Sequence, residues 1–509
     1  MFKQKWFRSL LVQRVIFAII ILIQLVWGIN VILNGSLASS LINFALQLLS
    51  LLVCIYIISS DDRGSNKLTW VFLILLFPML GGVVYVVFSL QLNGHLLKKR
   101  LKKAKASTCK SLTQINSDEI AAIKDFPHRA PQINYLANAG FPIYENSSAV
   151  FLTPGEVKLE AVLRELEKAE KYIFLEYFII KEGKMWNAIL DILSRKAEEG
   201  VKVKVIYDDF GCFMLLPKDY RRRLEAMGIE CRVFNRFAPI VTAVQNNRDH
   251  RKILSIDGKV AFTGGINLSD EYINAVVRHG HWKDASVMIK GAAAQRFTLM
   301  FLEMWELSAG IQEDHNLFLH TKSTAEPKDG YIQPYSDDPT DTENVGEHVY
   351  LQIINNAKKY VYINTPYLII DDVMLTALTM AAKSGVDVRI TTPHQGDRWF
   401  VHTTTRSYYR DLIRAGVKIY EYEKGFIHAK TFVSDDEIAT VGTVNLDYRS
   451  FYTNFECGTL LLGCSCIKDI KDDYIKTLEI CEEITEESCE LKKFKGFVSK
   501  LLRIFAPLM

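Results

Sequence analysis

Several chemistries lack the residues they need in this chain. No Gly-x4-Gly-Lys-Ser/Thr loop is present to cradle a nucleotide's phosphates, and no Gly-x-Gly-x-x-Gly turn to seat a dinucleotide. The nine cysteines (Cys54, Cys109, Cys212, Cys231, Cys457, Cys464, Cys466, Cys481 and Cys489) are scattered, and the closest pair is Cys-x-Cys, not a zinc spacing. An odd number without a framework indicates reduced thiols in a cytoplasmic setting. Neither a metal nor a cofactor is called for. A large excess of one charge is missing too: 61 basic against 58 acidic residues leave +3. A nuclease needs a strongly basic groove interleaved with aromatics, so nucleic acid is not an expected partner.

Charge is also absent, locally, from three N-terminal stretches. Val15 to Leu33 is interrupted only by Gln24 and Asn30, and Leu41 to Ser60 and Leu68 to Leu90 are likewise uncharged. Each is long enough for the ~20 residues of helix that cross a hydrocarbon core. Residues 1–92 therefore read as a membrane region. Lys3, Lys5, Arg8 and Arg14 hold the N-terminus inside, and the basic cluster Lys98, Lys99, Arg100, Lys102, Lys103 and Lys105 in the linker 93–117 also demands the inside. Two inside ends require an even number of crossings. Pro78, Gly81 and Gly82 weaken a straight helix in the third run. The expectation is two spanning helices, the third run re-entrant or lying against the bilayer, and the basic cluster on anionic headgroups. The protein is then multi-pass in the cell membrane, with its remaining domains on the cytoplasmic face.

From about Asp118 the composition is that of an α/β protein, and it repeats. Tyr172–Ile180 matches Tyr360–Leu368, Gly200–Ile206 matches Gly385–Ile390, and Met227–Val233 matches Ala415–Tyr420, with helices Met185 to Glu199 and Asp372 to Ser384 between. Each half reads as an α/β unit with a mixed sheet. The boundaries are 118–320 and 346–509, with a Pro- and Asp-rich linker at 321–345 and a pseudo-twofold pairing of the halves. Phe497 to Met509 reads as an amphipathic helix, equally suited to the bilayer or to core packing.

The chemistry sits in one stretch of each half. His250, Lys252, Asp257 and Asn267 recur as His428, Lys430, Asp435 and Asn445, at offsets of +2, +7 and +17. Apolar runs flanking Asp257-Gly258 and Asp435-Asp436 read as tight hairpins. Residues i and i+2 of a strand share a face, so each His and Lys project together: a nucleophile or proton carrier beside a fixed positive charge. Gly264 and Gly265 admit a close approach, and Asn267 adds an amide donor; Gly442-Thr443 replaces the paired glycines in the second copy. Two readings of Asp257 and Asp435 stand, as members of the site or as ordinary turn residues. One His and one Lys cannot perform a two-step displacement, whereas two copies face to face can.

His-x-Lys-x4-Asp-x6-Gly-Gly-x-Asn, present twice, resembles the signature of the phospholipase D superfamily. Trp70, Pro78, Gly81, Gly82 and Tyr85, and the runs Gly265–Asn274 and Asn445–Phe451, resemble bacterial cardiolipin synthases within it. The resemblance covers almost the whole chain. It implies a duplicated phospholipase D-like α/β fold behind a transmembrane helical region, and phosphatidyl transfer between two phosphatidylglycerols, as donor and acceptor, giving cardiolipin and glycerol without metal or nucleotide. His250, Lys252, Asp257, His428, Lys430 and Asp435 would be catalytic, with His250 forming a phosphatidyl-histidine and His428 moving the proton. Asn267 and Asn445 would bind phosphate. An acid is expected behind each histidine, and Asp284 and Glu456 stand at corresponding places. The alternative is a phospholipase D-type hydrolase, or another phosphatidyltransferase of the superfamily, differing in what accepts the intermediate.

Overall fold

The computed structural model describes residues 36–508, apart from 61, 79–80, 90–92, 112–115, 237–245, 320–326 and 490–492, and a few isolated positions before 36. The chain forms two compact units. One comprises residues 1–96 with 503–509, and the other 97–236 with 247–502.

In the first unit, most of the run from Val15 to Leu33 lies outside the described residues. Leu37–Ser59 is a 23-residue helix and, among the described residues, the one long and apolar enough to cross a membrane. The run from Leu68 to Leu90 is broken into helices Gly64–Leu76 and Gly81–Ser89. The break falls at Pro78, whose carbonyl accepts from Ser50 Oγ at 2.6 Å. At 1.5 Å per residue neither piece reaches the ~30 Å of a hydrocarbon core. Val53, Cys54, Ile57 and Ile74 form their shared core, with Trp70 edge-on to Tyr85.

The second unit is built on two mixed sheets with the same strand order. The first runs Ser147–Leu152, Ser286–Gly291, Val260–Gly264, Lys252–Ile256, Tyr172–Tyr177, Lys202–Asp208, Glu230–Phe234. The second runs Tyr331–Asp337, Asn454–Leu462, Ile438–Gly442, Thr431–Ser434, Tyr360–Asn364, Asp387–Pro393, Lys418–Tyr422 and adds Cys481–Ile484 at its edge. Both are covered by helices. Lys184–Glu198 buries Met185, Trp186, Ile189, Ile192 and Leu193 on one stripe, and Asp372–Lys383 buries Met374, Ala377, Leu378 and Ala381. Helix Ala292–Ala309, apolar on nearly every side, packs on strands of both sheets and buries Trp305 completely.

Two expected linkers are structured. Tyr331–Asp337, inside the expected 321–345 linker, is a fully buried edge strand paired antiparallel with Asn454–Leu462. Its Pro334 is tolerated because an edge strand needs hydrogen bonds on one side only. Residues 93–117 contain helix Asn93–Ser111, which buries Leu101 and Ala104 while Thr108 donates to Glu303 at 2.6 Å. Lys105 pairs with Asp338 and Asp341, so this member of the basic cluster is committed within the protein; Lys99, Arg100, Lys102 and Lys103 are exposed. The C-terminal segment is helical over Lys493–Ile504, with Phe497 exposed and Ser499 buried.

The hairpins form where expected. Asp257 and Gly258 both have positive φ (52° and 64°), as do Asp435 and Asp436 (57° and 60°), the geometry of a two-residue type I′ turn. Each turn aspartate has a second role. The Asp257 carboxylate accepts from the backbone N–H of Glu170, Lys171 and Tyr172, each at 2.8 Å. Asp435 does the same for Lys358, Lys359 and Tyr360 at 2.8–3.1 Å. Each hairpin is thereby clamped to the start of the neighbouring strand. Five residue steps along the strand carry the chain from Lys252 to Asp257, about 16 Å, so the grouping of the two aspartates with the catalytic residues is corrected: they stand at the far end of each hairpin. Asp257→Ala or Asp435→Ala should cost roughly 2–4 kcal/mol of stability, because buried amides lose a charged acceptor. The thermal midpoint in detergent should fall while KM of the folded enzyme is unchanged. An unshifted midpoint with lost turnover would return the aspartate to the chemistry.

Candidate active site

His250 and His428 are brought together by a reciprocal exchange of strands. Arg248–Asp249 pairs in parallel with Asn454–Phe455, and His281–Lys283 pairs in parallel with Gly425–Ile427. The exchange fixes each histidine's backbone in the other half: His250 N donates to Phe455 O at 2.9 Å, and His428 N to Lys283 O at 2.7 Å. The next residue along each receiving strand is an acid. Glu456 meets His250 Nδ1 at 2.9 Å, and Asp284 meets His428 Nδ1 at 2.7 Å. Both expected acids are therefore in place, but crossed, each serving the histidine of the opposite half. A carboxylate accepts only, so Nδ1 of each ring carries the proton and Nε2 is left for chemistry.

Each lysine folds back onto its own histidine. Lys252 Nζ donates to His250 O and Lys430 Nζ to His428 O, each at 2.5 Å, and Lys430 Nζ also lies 3.0 Å from His428 Nδ1. All four side chains are buried. Burial, opposed by Glu456 and assisted by Lys252, lowers His250 to about 4; burial and the closer Lys430 lower His428 to about 3. The same desolvation brings Lys252 to about 8 and Lys430 to about 7. For the acids burial pushes upward, yet their histidines and the lysines hold Glu456 and Asp284 below the ordinary carboxylate value. The centre thus holds two neutral imidazoles, two ionised carboxylates and two readily deprotonated lysines.

The departure from paired glycines reflects how each acid is seated in its own half. A Cβ on Gly265 would lie 2.1 Å from Asp284 Oδ1, so glycine there makes room for the acid. At the equivalent place Thr443 donates its hydroxyl to Glu456 Oε2, and Ser450 Oγ and Asn454 Nδ2 donate to Oε1 at 2.8 and 3.2 Å. The two asparagines differ. Asn267 accepts from Ile179 N–H at 3.1 Å and donates to Tyr272 OH at 2.7 Å, whereas Asn445 Oδ1 is buried and accepts no hydrogen bond among the described residues. Rings of Tyr272, Trp282 and Phe426 wall His428, and Phe178 lies edge-on to His250. Thr443 was noted in the sequence only as a departure from the paired glycines, and Ser450 and these rings were given no role there. Nor was Lys158, wholly buried with Nζ 3.0 Å from Ile266 O and lowered by burial to about 7; on an amphipathic helix it reads as a surface residue.

Two His-Lys pairs on a duplicated α/β fold define a two-motif enzyme of the phospholipase D superfamily. The family described as "Cardiolipin synthase, PLD-like domain" matches residues 162–305 and 350–476, and "Phospholipase_D-nuclease N-terminal" matches 45–89. The chain is 34% identical to the cardiolipin synthase of Alkalihalophilus pseudofirmus over 89% of this chain and 91% of the relative. It is 31% identical to that of Geobacillus kaustophilus over 96% and 98%. The phosphatidylserine synthase of Haemophilus influenzae shares the fold: TM-score 0.57 at 14% identity, over 74% of this chain and 97% of that one. The chain belongs to the cardiolipin synthase family of the phospholipase D superfamily, and it is a phosphatidyltransferase.

The lysines generate a pH prediction. Their folded values are depressed, so each is charged below, and neutral above, about 7 for Lys430 and about 8 for Lys252. Affinity for a phosphodiester competitor of constant charge, such as glycerophosphoglycerol, should fall above that range by roughly tenfold per pH unit for each lysine whose charge it needs. A flat inhibition constant to pH 9.5 (roughly, one unit short of an ordinary lysine) would contradict the lowered values.

Proposed function

We propose that this enzyme joins two phosphatidylglycerols into cardiolipin and releases glycerol, through a phosphatidyl-histidine. The observation that carries the reading is the pair of imidazoles, each with Nδ1 held by a buried carboxylate of the opposite half. The donor phosphate lies between the rings, against Lys252 and Lys430. His250 Nε2 attacks phosphorus as the bond to the glycerol oxygen breaks, and His428 gives that oxygen a proton. The second phosphatidylglycerol's hydroxyl then attacks phosphorus. Its proton goes to His428, and the electron pair of the phosphorus–nitrogen bond returns to His250. In the empty site both imidazoles are neutral; the incoming phosphodiester anion offsets the two lysines and raises the proton affinity of His428, so the acid is charged only when substrate is bound. Lysines and asparagine amides stabilise the transition-state oxygens. One phosphodiester replaces another, so no activated donor is needed.

The substrates fix the setting as a membrane. Helix Leu37–Ser59 and the match over 45–89 support an anchor there, and in this reading the protein is multi-pass with the catalytic unit on the cytoplasmic face.

Purified protein given labelled phosphatidylglycerol alone, with a chelator, should form cardiolipin and glycerol in equal amounts. His250→Ala and His428→Ala should each lower turnover by roughly 10³-fold or more. Labelled phosphatidyl should accumulate on His428→Ala protein and not on His250→Ala. Phosphatidic acid as the main product would make water the acceptor and the enzyme a hydrolase. A fully active single variant would refute the two-histidine mechanism.

A further inference from the structure

The strand that carries His428's acid has a second face. Along His281–Lys283 successive side chains alternate. Trp282 packs against the His428 ring, centroids 5.5 Å apart, so His281 and Lys283 turn the other way, where they border a cavity of about 270 Å³. Both halves line it: Thr153, His281 and Lys283 from the first, and Lys424, Asp473 and Lys476 from the second. Lys283 Nζ lies 2.7 Å from Asp473, and the two side chains are only 12% and 20% exposed. His281 Nδ1 is engaged by Tyr422 OH at 2.9 Å. Three lysines less one aspartate leave an excess of two positive charges around the cavity. His281 registers that field: burial, with Lys283 and Lys424, holds it below its ordinary value against the pull of Glu156.

We propose that this cavity is a second phosphate site, distinct from the reacting centre, which takes a phosphomonoester between Lys283, Lys424 and Lys476. The charge fits, since a phosphomonoester carries about −1.5 to −2 at neutral pH, whereas the phosphodiester of the reaction carries one negative charge. The volume suits a headgroup. The wall is also the frame of Asp284, which positions His428. Thr153 Oγ1 donates to Asp284 O at 3.0 Å, and Lys283 O accepts the His428 N–H. An anion seated here competes with Asp473 for Lys283 and bears directly on the strand that holds Asp284. The ligand is a soluble phosphomonoester or the phosphomonoester headgroup of a lipid.

The test is equilibrium binding of labelled inorganic phosphate to the full-length protein in detergent, a readout independent of turnover and of the acceptor in the reaction. Wild type should show two classes of site, one at the histidines and one here. Lys424 and Lys476 are exposed, so K424Q/K476Q should keep the wild-type thermal midpoint while weakening one class by about tenfold or more and leaving the other unchanged. Asp473→Asn, which frees Lys283, should tighten that same class by about threefold or more. Displacement of the label by phosphatidylcholine vesicles containing phosphatidic acid, but not by phosphatidylcholine alone, assigns the site to a lipid; displacement by glycerol 3-phosphate only assigns it to a soluble ligand. Unchanged stoichiometry and affinity in both variants would overturn the proposal.

Discussion

The catalytic unit depends on two backbone hydrogen bonds that cross between its halves. His250 N–H to Phe455 O and His428 N–H to Lys283 O fix where each histidine enters the seam, and they fix the acid that follows in the receiving strand. Neither half holds a complete group of histidine, lysine and orienting carboxylate. The duplicated motif is therefore one centre assembled twice over from exchanged parts, and the requirement for both halves is geometric as well as chemical.

Burial gives that geometry its chemical character. Both lysines and both acids are shut off from solvent, and the imidazoles keep only 11% and 9% of their side-chain surface exposed. Desolvation disfavours every charge it can remove, while the carboxylates keep theirs through hydrogen bonds from the histidines, Thr443, Ser450 and Asn454. The result is a site poised for an anion. Its two lysines have values near neutrality, and in the mechanism proposed above its histidines gain proton affinity as the phosphate arrives, which couples the protonation of His428 to the presence of the group it must serve.

Much of this was legible in the sequence. The His-x-Lys spacing follows from the two-residue period of a strand, the hairpins from Asp-Gly and Asp-Asp between apolar runs, and the repeat from matching β-α-β segments. Asp284 and Glu456 were found by their equivalent positions, but the crossing was not, because a repeat shows which residues correspond and says nothing of which copy reaches which. The replacement of Gly265 by Thr443 is a separate difference between the acids' settings, with Asp284 pressing on the glycine of its own half and Glu456 accepting from the threonine of its own. Tyr331–Asp337 was hidden by Pro334 and the run Ser336-Asp337-Asp338-Pro339, whose turn chemistry outweighs a single edge strand in any local reading. The aspartates of the motif were misplaced for the opposite reason: a fixed offset from the histidine looks chemical, yet here it measures the length of a hairpin.

The crossed pairing is the central claim, and histidine Nδ1 protons report it directly. Low-field proton NMR of the detergent-solubilised protein, labelled with ¹⁵N-histidine, should contain one hydrogen-bonded Nδ1–H resonance that vanishes in H250Q and another that vanishes in H428Q. In E456Q the His250 resonance should move upfield while that of His428 stays, and in D284N the reverse should hold. If instead D284N perturbs His250 and E456Q perturbs His428, each half keeps its own acid and the exchange of strands described here is wrong.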